Sequence, residues 1–151
     1  MSLDFQPLVP DQAALIGQVM TEMDPWLRLG FGADSLTHYL LKADSSLVRT
    51  AIVDRGQMVG AIATRSPWLR GPYLELLAVF PDHQGQSIGR QALEWAFDAA
   101  RTNNALNFWA CVSAFNQKAR GFYAHMGFVE TAELADLVKA GEAEILLRKV
   151  L

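Results

Sequence analysis

Residues 74–90, Leu-Glu-Leu-Leu-Ala-Val-Phe-Pro-Asp-His-Gln-Gly-Gln-Ser-Ile-Gly-Arg, constrain the fold of this chain more than any other segment. The stretch 73–80 is almost wholly apolar, which suits a strand covered on both faces in the middle of a sheet. Pro81 stops it, a short Gly-containing loop follows, and a helix is expected from about Ser87 to Arg101. Ile88, Ala92, Trp95, Ala96 and Ala99 give that helix an apolar face at helical spacing. The first N–H groups of a helix have no internal partner, and the helix dipole favours negative charge there. The unit therefore aims backbone donors at an anion, and a phosphate-bearing ligand is the first expectation.

The rest of the chain supplies the sheet around this unit. Residues 3–8 read as a first strand, and a helix follows to about Met20 with Asp11 as its expected N-cap. Residues 23–31 are irregular, aromatic and punctuated by Pro25 and Gly30. Asp34 or Ser35 caps a second helix to about Lys42. Strands over 47–53 and 58–64 are joined by an Asp54-Arg55-Gly56-Gln57 hairpin turn, and 67–72 is read as a loop. A strand over 106–112 leads to a helix over 116–126, ended by Gly127, and strands over 128–131 and 144–150 close the chain. The order is a mixed α/β sheet, and 151 residues suit one domain spanning 1–151.

Composition removes several function classes. A net charge of −3 with no basic stripe argues against nucleic acid as a partner. One cysteine, Cys111, cannot form an intrachain disulfide and reads as a small core residue. No apolar run approaches the ~20 residues needed to span a bilayer, and no signal-like segment opens the chain, so no membrane is expected and the cytoplasm is the default location.

Two common phosphate motifs are missing. There is no Gly-x-x-x-x-Gly-Lys-Ser/Thr and no Gly-x-Gly-x-x-Gly after a strand. What stands at this position is Gln84-Gly85-Gln86-Ser87-Ile88-Gly89. Gly85 lets backbone approach a ligand, and a side chain at Gly89 would crowd a bound phosphate. The same glycines equally suit an ordinary strand–helix connection. A second segment, Asn116-Gln117-Lys118-Ala119-Arg120-Gly121-Phe122-Tyr123 running on to Gly127-Phe128, sits between two strands.

Together the two segments resemble the GNAT superfamily of acyl-CoA-dependent N-acyltransferases. Ala78, Val79 and Pro81, then Gln84, Ile88 and Gly89, match its central motif, with Ser87 where a glycine is usual. Asn116, Ala119, Phe122, Tyr123, Gly127 and Phe128 match its later one. The resemblance implies a largely antiparallel sheet of about seven strands flanked by about four helices, with a splayed central strand pair. It implies acetyl-CoA as cosubstrate and no metal. The pyrophosphate would lie on the backbone of Gln84, Gly85, Gln86, Ser87, Ile88 and Gly89 with Arg90 nearby. The pantetheine arm would run along Leu77, Ala78 and Val79, with Asn116 and Phe122 beside it. Ser87 can still offer its N–H, and a hydroxyl donor as well if its φ is negative.

The resemblance also suggests roles. A backbone N–H near Val79 would polarise the thioester carbonyl. Tyr123 stands where many members place the acid that protonates the CoA sulfur, although a core aromatic is the alternative. Glu75, alternating with Leu77 and Val79 on one side of its strand, is the candidate base or else an exposed strand-end carboxylate. A base on the following strand looks absent, since that register holds Cys111. Asp24, Trp26, Phe31 and Trp68, with Glu22, would wall an amine acceptor site, unless the tryptophans merely cap the core. The expected activity is acetyl transfer from acetyl-CoA to a primary amine of a small molecule, peptide or protein. The alternative is a non-catalytic acyl-CoA-binding or sensing module on the same fold. Dimers are common among such proteins, which makes a homodimer an expectation of the resemblance alone.

Overall fold

The computed structural model describes residues 2–151. Seven strands, β1 (Leu3–Pro7), β2 (Leu47–Asp54), β3 (Gln57–Trp68), β4 (Gly71–Val79), β5 (Asn107–Ser113), β6 (Val129–Ala135) and β7 (Ala143–Val150), form one sheet in the order β1-β2-β3-β4-β5-β7-β6. All neighbours are antiparallel except β4 and β5. The helices are α1 (Pro10–Met20), α2 (Trp26–Leu29), α3 (Ala33–Leu41), α4 (Ile88–Thr102) and α5 (Gln117–His125), one more than the four expected. The extra one, α2, is a single turn inside the segment read as irregular. Two flanking positions, Asp24 and Gly30, delimit it: Asp24 Oδ1 accepts the Arg28 N–H at 3.2 Å, and Gly30 ends the turn at φ +81°.

The expected caps are corrected. Val9, not Asp11, is the N-cap of α1; the Gln12 side chain accepts the Val9 N–H at 3.0 Å, and Pro10 opens the helix where no donor is needed. Gly32 holds the corresponding place for α3, leaving Asp34 and Ser35 inside the helix. The Arg55-Gly56 turn, with φ of +52° and +78°, has the twist that joins antiparallel strands. The segment 67–72 is not a loop. β3 and β4 run on to a two-residue turn at Leu69 and Arg70. Pro67 is tolerated in β3 because β2 stops pairing at Arg65, so its missing N–H costs no ladder bond on that side.

The sheet separates two cores. Ile88, Leu93, Phe97 and Tyr123 pack with Leu74, Phe108, Ala110 and Val112 under α4 and α5. Ile16, Met20, Leu36 and Leu40 from α1 and α3 pack with Ala61, Ala63, Leu76 and Ala78 on the other face. Gly60 allows β3 and β4 to approach, since a Cβ there would collide with the Ala78 carbonyl oxygen.

Two irregularities in β4 position the site. Ala63 pairs with Leu76 but Thr64 with Leu74, so Glu75 is an extra residue, a β-bulge. This breaks the expected alternation of Glu75 with Leu77 and Val79. In addition, β4 and β5 pair only at Tyr73↔Trp109 and Leu74↔Ala110, and diverge beyond. The splay leaves one edge of β4 without a strand from Glu75 to Val79.

Candidate active site

The splay opens into a cavity of about 1250 Å³ that reaches both faces of the sheet. Its floor is the free edge of β4. Phe80 N–H bonds back to Val59 in β3 at 2.8 Å, so by antiparallel alternation the N–H groups of Leu77 and Val79 point the other way, into the gap. Gln84 Nε2 donates to the Val79 carbonyl at 3.0 Å and ties the following loop to this edge.

On the α4–α5 face, the cavity ends at a loop whose backbone could cradle an anion. Gly85 (φ +77°) and Ser87 (φ +65°) curl the loop into the start of α4. Among the described residues, no hydrogen bond is made by the backbone N–H groups of residues 85–90, while the Gln91 N–H already bonds to Ser87 at 3.1 Å. Such successive free donors before a helix of 15 residues suit a diphosphate. The positive φ removes the condition for a hydroxyl donor from Ser87, whose side chain makes no capping bond. Gly89 has a packing reason: a Cβ there would lie 3.3 Å from the Phe122 ring. Arg90 lies at the rim, paired with Glu94 at 3.3 Å.

Asn116 caps α5 through its Oδ1, which accepts the Ala119 N–H at 3.1 Å, and it lines the cavity beside Phe122 and Tyr123. Tyr123 is buried, and burial raises its pKa above the ordinary phenol value, so it keeps its proton at neutral pH. Its hydroxyl has no hydrogen-bond partner among the described residues and is free to donate. Leu77, Val79, Gln84, Gly85, Ser87, Ile88, Gly89, Arg90, Asn116, Phe122 and Tyr123 all line this one cavity. Ala78 and Gln86 do not; Ala78 turns its side chain into the α1–α3 core.

The opposite face holds the second half of the cavity. Asp24, Trp26 and Phe31 line it, with Glu22. Trp68 does not. It packs on Tyr73 and Trp109, with ring centroids 5.1 and 5.2 Å away, and stands behind the wall. Glu75 borders the cavity, but both its oxygens accept from Arg65, Nε at 2.5 Å and Nη2 at 3.1 Å, and Asp44 holds the same guanidinium at 2.9 Å. The carboxylate is fixed in a bidentate pair rather than presented singly.

Sequence reasoning missed Cys111, Ser113 and Glu144 as wall residues. Phe108, Ala110 and Val112 face α4 and α5, so Trp109, Cys111 and Ser113 face the opposite side of the sheet. Cys111 is therefore a half-buried wall residue beside Tyr73, and burial raises its thiol pKa. Glu144, opposite Ser113 across β5 and β7, is 7% exposed and accepts from Ser113 Oγ at 2.8 Å through Oε2. Burial raises its pKa; the Ser113 bond offsets part of this and Glu142 adds to it. The signal for Glu144 was a carboxylate at the start of an apolar strand, the kind that drew attention to Glu75. Among the described residues, no group of three or more His, Cys, Asp or Glu is placed to hold a metal ion, and no helix is long and apolar enough to cross a membrane.

The arrangement matches known proteins. The model of the acetyltransferase (GNAT) family matches residues 15–128. A streptothricin acetyltransferase from Streptomyces lavendulae is 33% identical over 99 residues, 66% of this chain and 47% of that protein, so the match spans about half the relative's length. Solved structures with the same fold include the ribosomal-protein-S18-alanine N-acetyltransferase of Escherichia coli, at TM-score 0.79 and 18% identity over 99% of this chain and 94% of that one. An aminoglycoside 6′-N-acetyltransferase complexed with coenzyme A aligns at TM-score 0.79 and 13% identity over 99% and 97% of the two chains.

Proposed function

The chain belongs to the GNAT family of acetyltransferases, and from that premise we propose that it transfers the acetyl group of acetyl-CoA to a primary amine. The observation that carries this reading is the continuity of the cavity: unpaired N–H groups of residues 85–90 at one end, the strandless edge of β4 in the middle, and an aromatic and acidic chamber at the other. The diphosphate of the cosubstrate sits on the cradle. Its pantetheine arm adds to β4 as a strand would, using the Leu77 and Val79 backbone. One of those N–H groups then lies where charge develops on the thioester oxygen. Tyr123 holds the proton that the departing sulfur needs.

The acceptor enters from the side of α1 and α2. Glu22, Asp24 and Glu144 give that chamber negative character, and Trp26, Phe31 and Tyr73 give it flat apolar walls, a setting for a cationic amine. Arg28 of α2 reaches across to the β6–β7 turn, pairing with Glu142 at 3.2 Å, while Lys139 Nζ donates to the Arg28 carbonyl at 3.4 Å. These contacts tie α2 to the β6–β7 turn beside the cavity-lining Leu29 and Val138, an enclosure that favours a compact acceptor over a long peptide. The relative at 33% identity is a streptothricin acetyltransferase, which supports the same choice, while the fold neighbours include enzymes for both a ribosomal protein and aminoglycosides. Thiol release from acetyl-CoA across streptothricin, aminoglycosides, polyamines and short peptides tests it. Turnover with at least one small polyamine or antibiotic amine is expected; acetyl-CoA binding with no turnover on any amine would favour the sensing module instead.

A further inference from the structure

We infer that Glu144 is the group that takes the acceptor's proton, a role that rests on the acetyltransferase reading. Two carboxylates border the chamber deeply enough to serve. Glu75 lies in the β4 bulge and has both oxygens bound by Arg65, whose guanidinium also holds Asp44. Glu144 is the reverse. It is 7% exposed, has no cationic partner among the described residues, and is held by one hydroxyl, Ser113 Oγ, on Oε2. Oε1 has no partner and is not sealed off, because among the described residues the sole fully buried side-chain polar atom without one is the Tyr39 hydroxyl. A buried carboxylate with one anchored and one open oxygen, on a cavity wall, is oriented for a proton.

Its surroundings set its acidity. Tyr73 faces it from β4, Cys111 and Ser113 from β5, and Glu142 from the β6–β7 turn. Glu22, Asp24 and Glu75 lie farther along the same cavity, while Lys118, His83, His125 and Arg90 line its cofactor half. Burial and Glu142 both favour the protonated carboxyl, so Glu144 is a stronger base than an ordinary glutamate. An alkylamine arrives mostly as the ammonium, with a pKa of about 10. One ammonium proton passes to Glu144 and from there to water. The neutral nitrogen forms the C–N bond, the C–S bond breaks, and sulfur takes the Tyr123 proton. The phenol is restored by the proton that nitrogen loses as the amide forms, so amide and CoA thiol are the products.

The test uses the full chain, acetyl-CoA, and the amine with the highest turnover in the panel. Glu144→Gln keeps the Ser113 contact and the side chain's volume. It is expected to lower kcat about 100-fold or more and to remove the acidic limb of the pH–rate profile, with the melting shift caused by acetyl-CoA retained. Glu144→Asp is expected to keep the acidic limb at reduced kcat. Ser113→Ala, which removes a bond to the charged form, should move that limb to higher pH. A kcat within about threefold of the unmodified protein, a persistent acidic limb in Glu144→Gln, or a rise in KM alone would overturn the assignment while leaving the acetyltransferase reading intact. Loss of the acetyl-CoA shift in the variant would overturn it too, by showing a structural role. Absence of that shift in the unmodified protein would instead remove the parent reading.

Discussion

Replacing Ser87 with glycine should stabilise the protein without changing what the cradle binds. Ser87 adopts φ +65°, ψ +15° directly before α4, is exposed, and makes no side-chain capping bond. A non-glycine residue in that region carries a steric cost of about 1–2 kcal/mol from its Cβ. Glycine returns about 0.4–1 kcal/mol of this through the greater freedom of the unfolded chain. The net gain is about 0.5–1 kcal/mol, which for a chain of this size raises Tm by about 1–4 °C. Thermal unfolding followed by circular dichroism reads it. Ser87→Val supplies the opposite sign, since a β-branched residue tolerates positive φ least. The dissociation constant for acetyl-CoA should change by less than about threefold in Ser87→Gly, because the residue's contribution is its N–H and glycine keeps that. A fall in Tm for Ser87→Gly, or a tenfold loss of affinity, would show that the hydroxyl makes a stabilising contact and refute the steric cost assigned to Ser87.

Three other outcomes follow from the site. Tyr123→Phe should lower kcat about 100-fold while the affinity for acetyl-CoA, measured by calorimetry, stays near that of the unmodified protein. Glu75→Gln should cost about 1–3 kcal/mol in denaturant unfolding, since it breaks the charge-assisted pair with Arg65, yet reduce kcat far less than Glu144→Gln does. Glu144→Gln should be more stable than the unmodified protein at pH 8, with the advantage shrinking towards pH 4. The sign comes from the raised carboxyl pKa of the folded state: stability from holding that proton is present below it and lost as pH rises through it.

The strand–loop–helix unit at 73–101 and the second motif at 116–128 were legible because each joins a hydrophobic period to turn residues and termini with few conformational options. What escaped the sequence depends on pairing. The Glu75 bulge exists only as a register shift against β3, so alternation along β4 alone put the carboxylate on the wrong side. Trp68 looked like part of a loop because Pro67 and Pro72 flank it, yet it lies in a strand whose outer neighbour has already ended. Asp11 and Asp34 have the chemistry of caps, but backbone geometry at Val9 and Gly32 starts each helix earlier. Glu144 became a site residue only when β7 paired with β5 and set it opposite Ser113.

Ligand-dependent thermal unfolding asks whether the cradle and the splayed edge of β4 hold acetyl-CoA. With 1 mM acetyl-CoA and a dissociation constant of about 10 µM, mass action adds about 2.7 kcal/mol to the folded state. That corresponds to a Tm rise of about 5–10 °C for a domain of this length. A rise of this size, abolished when bulk is placed at Gly89 against Phe122, is the predicted result. An unchanged Tm at millimolar acetyl-CoA would contradict the account.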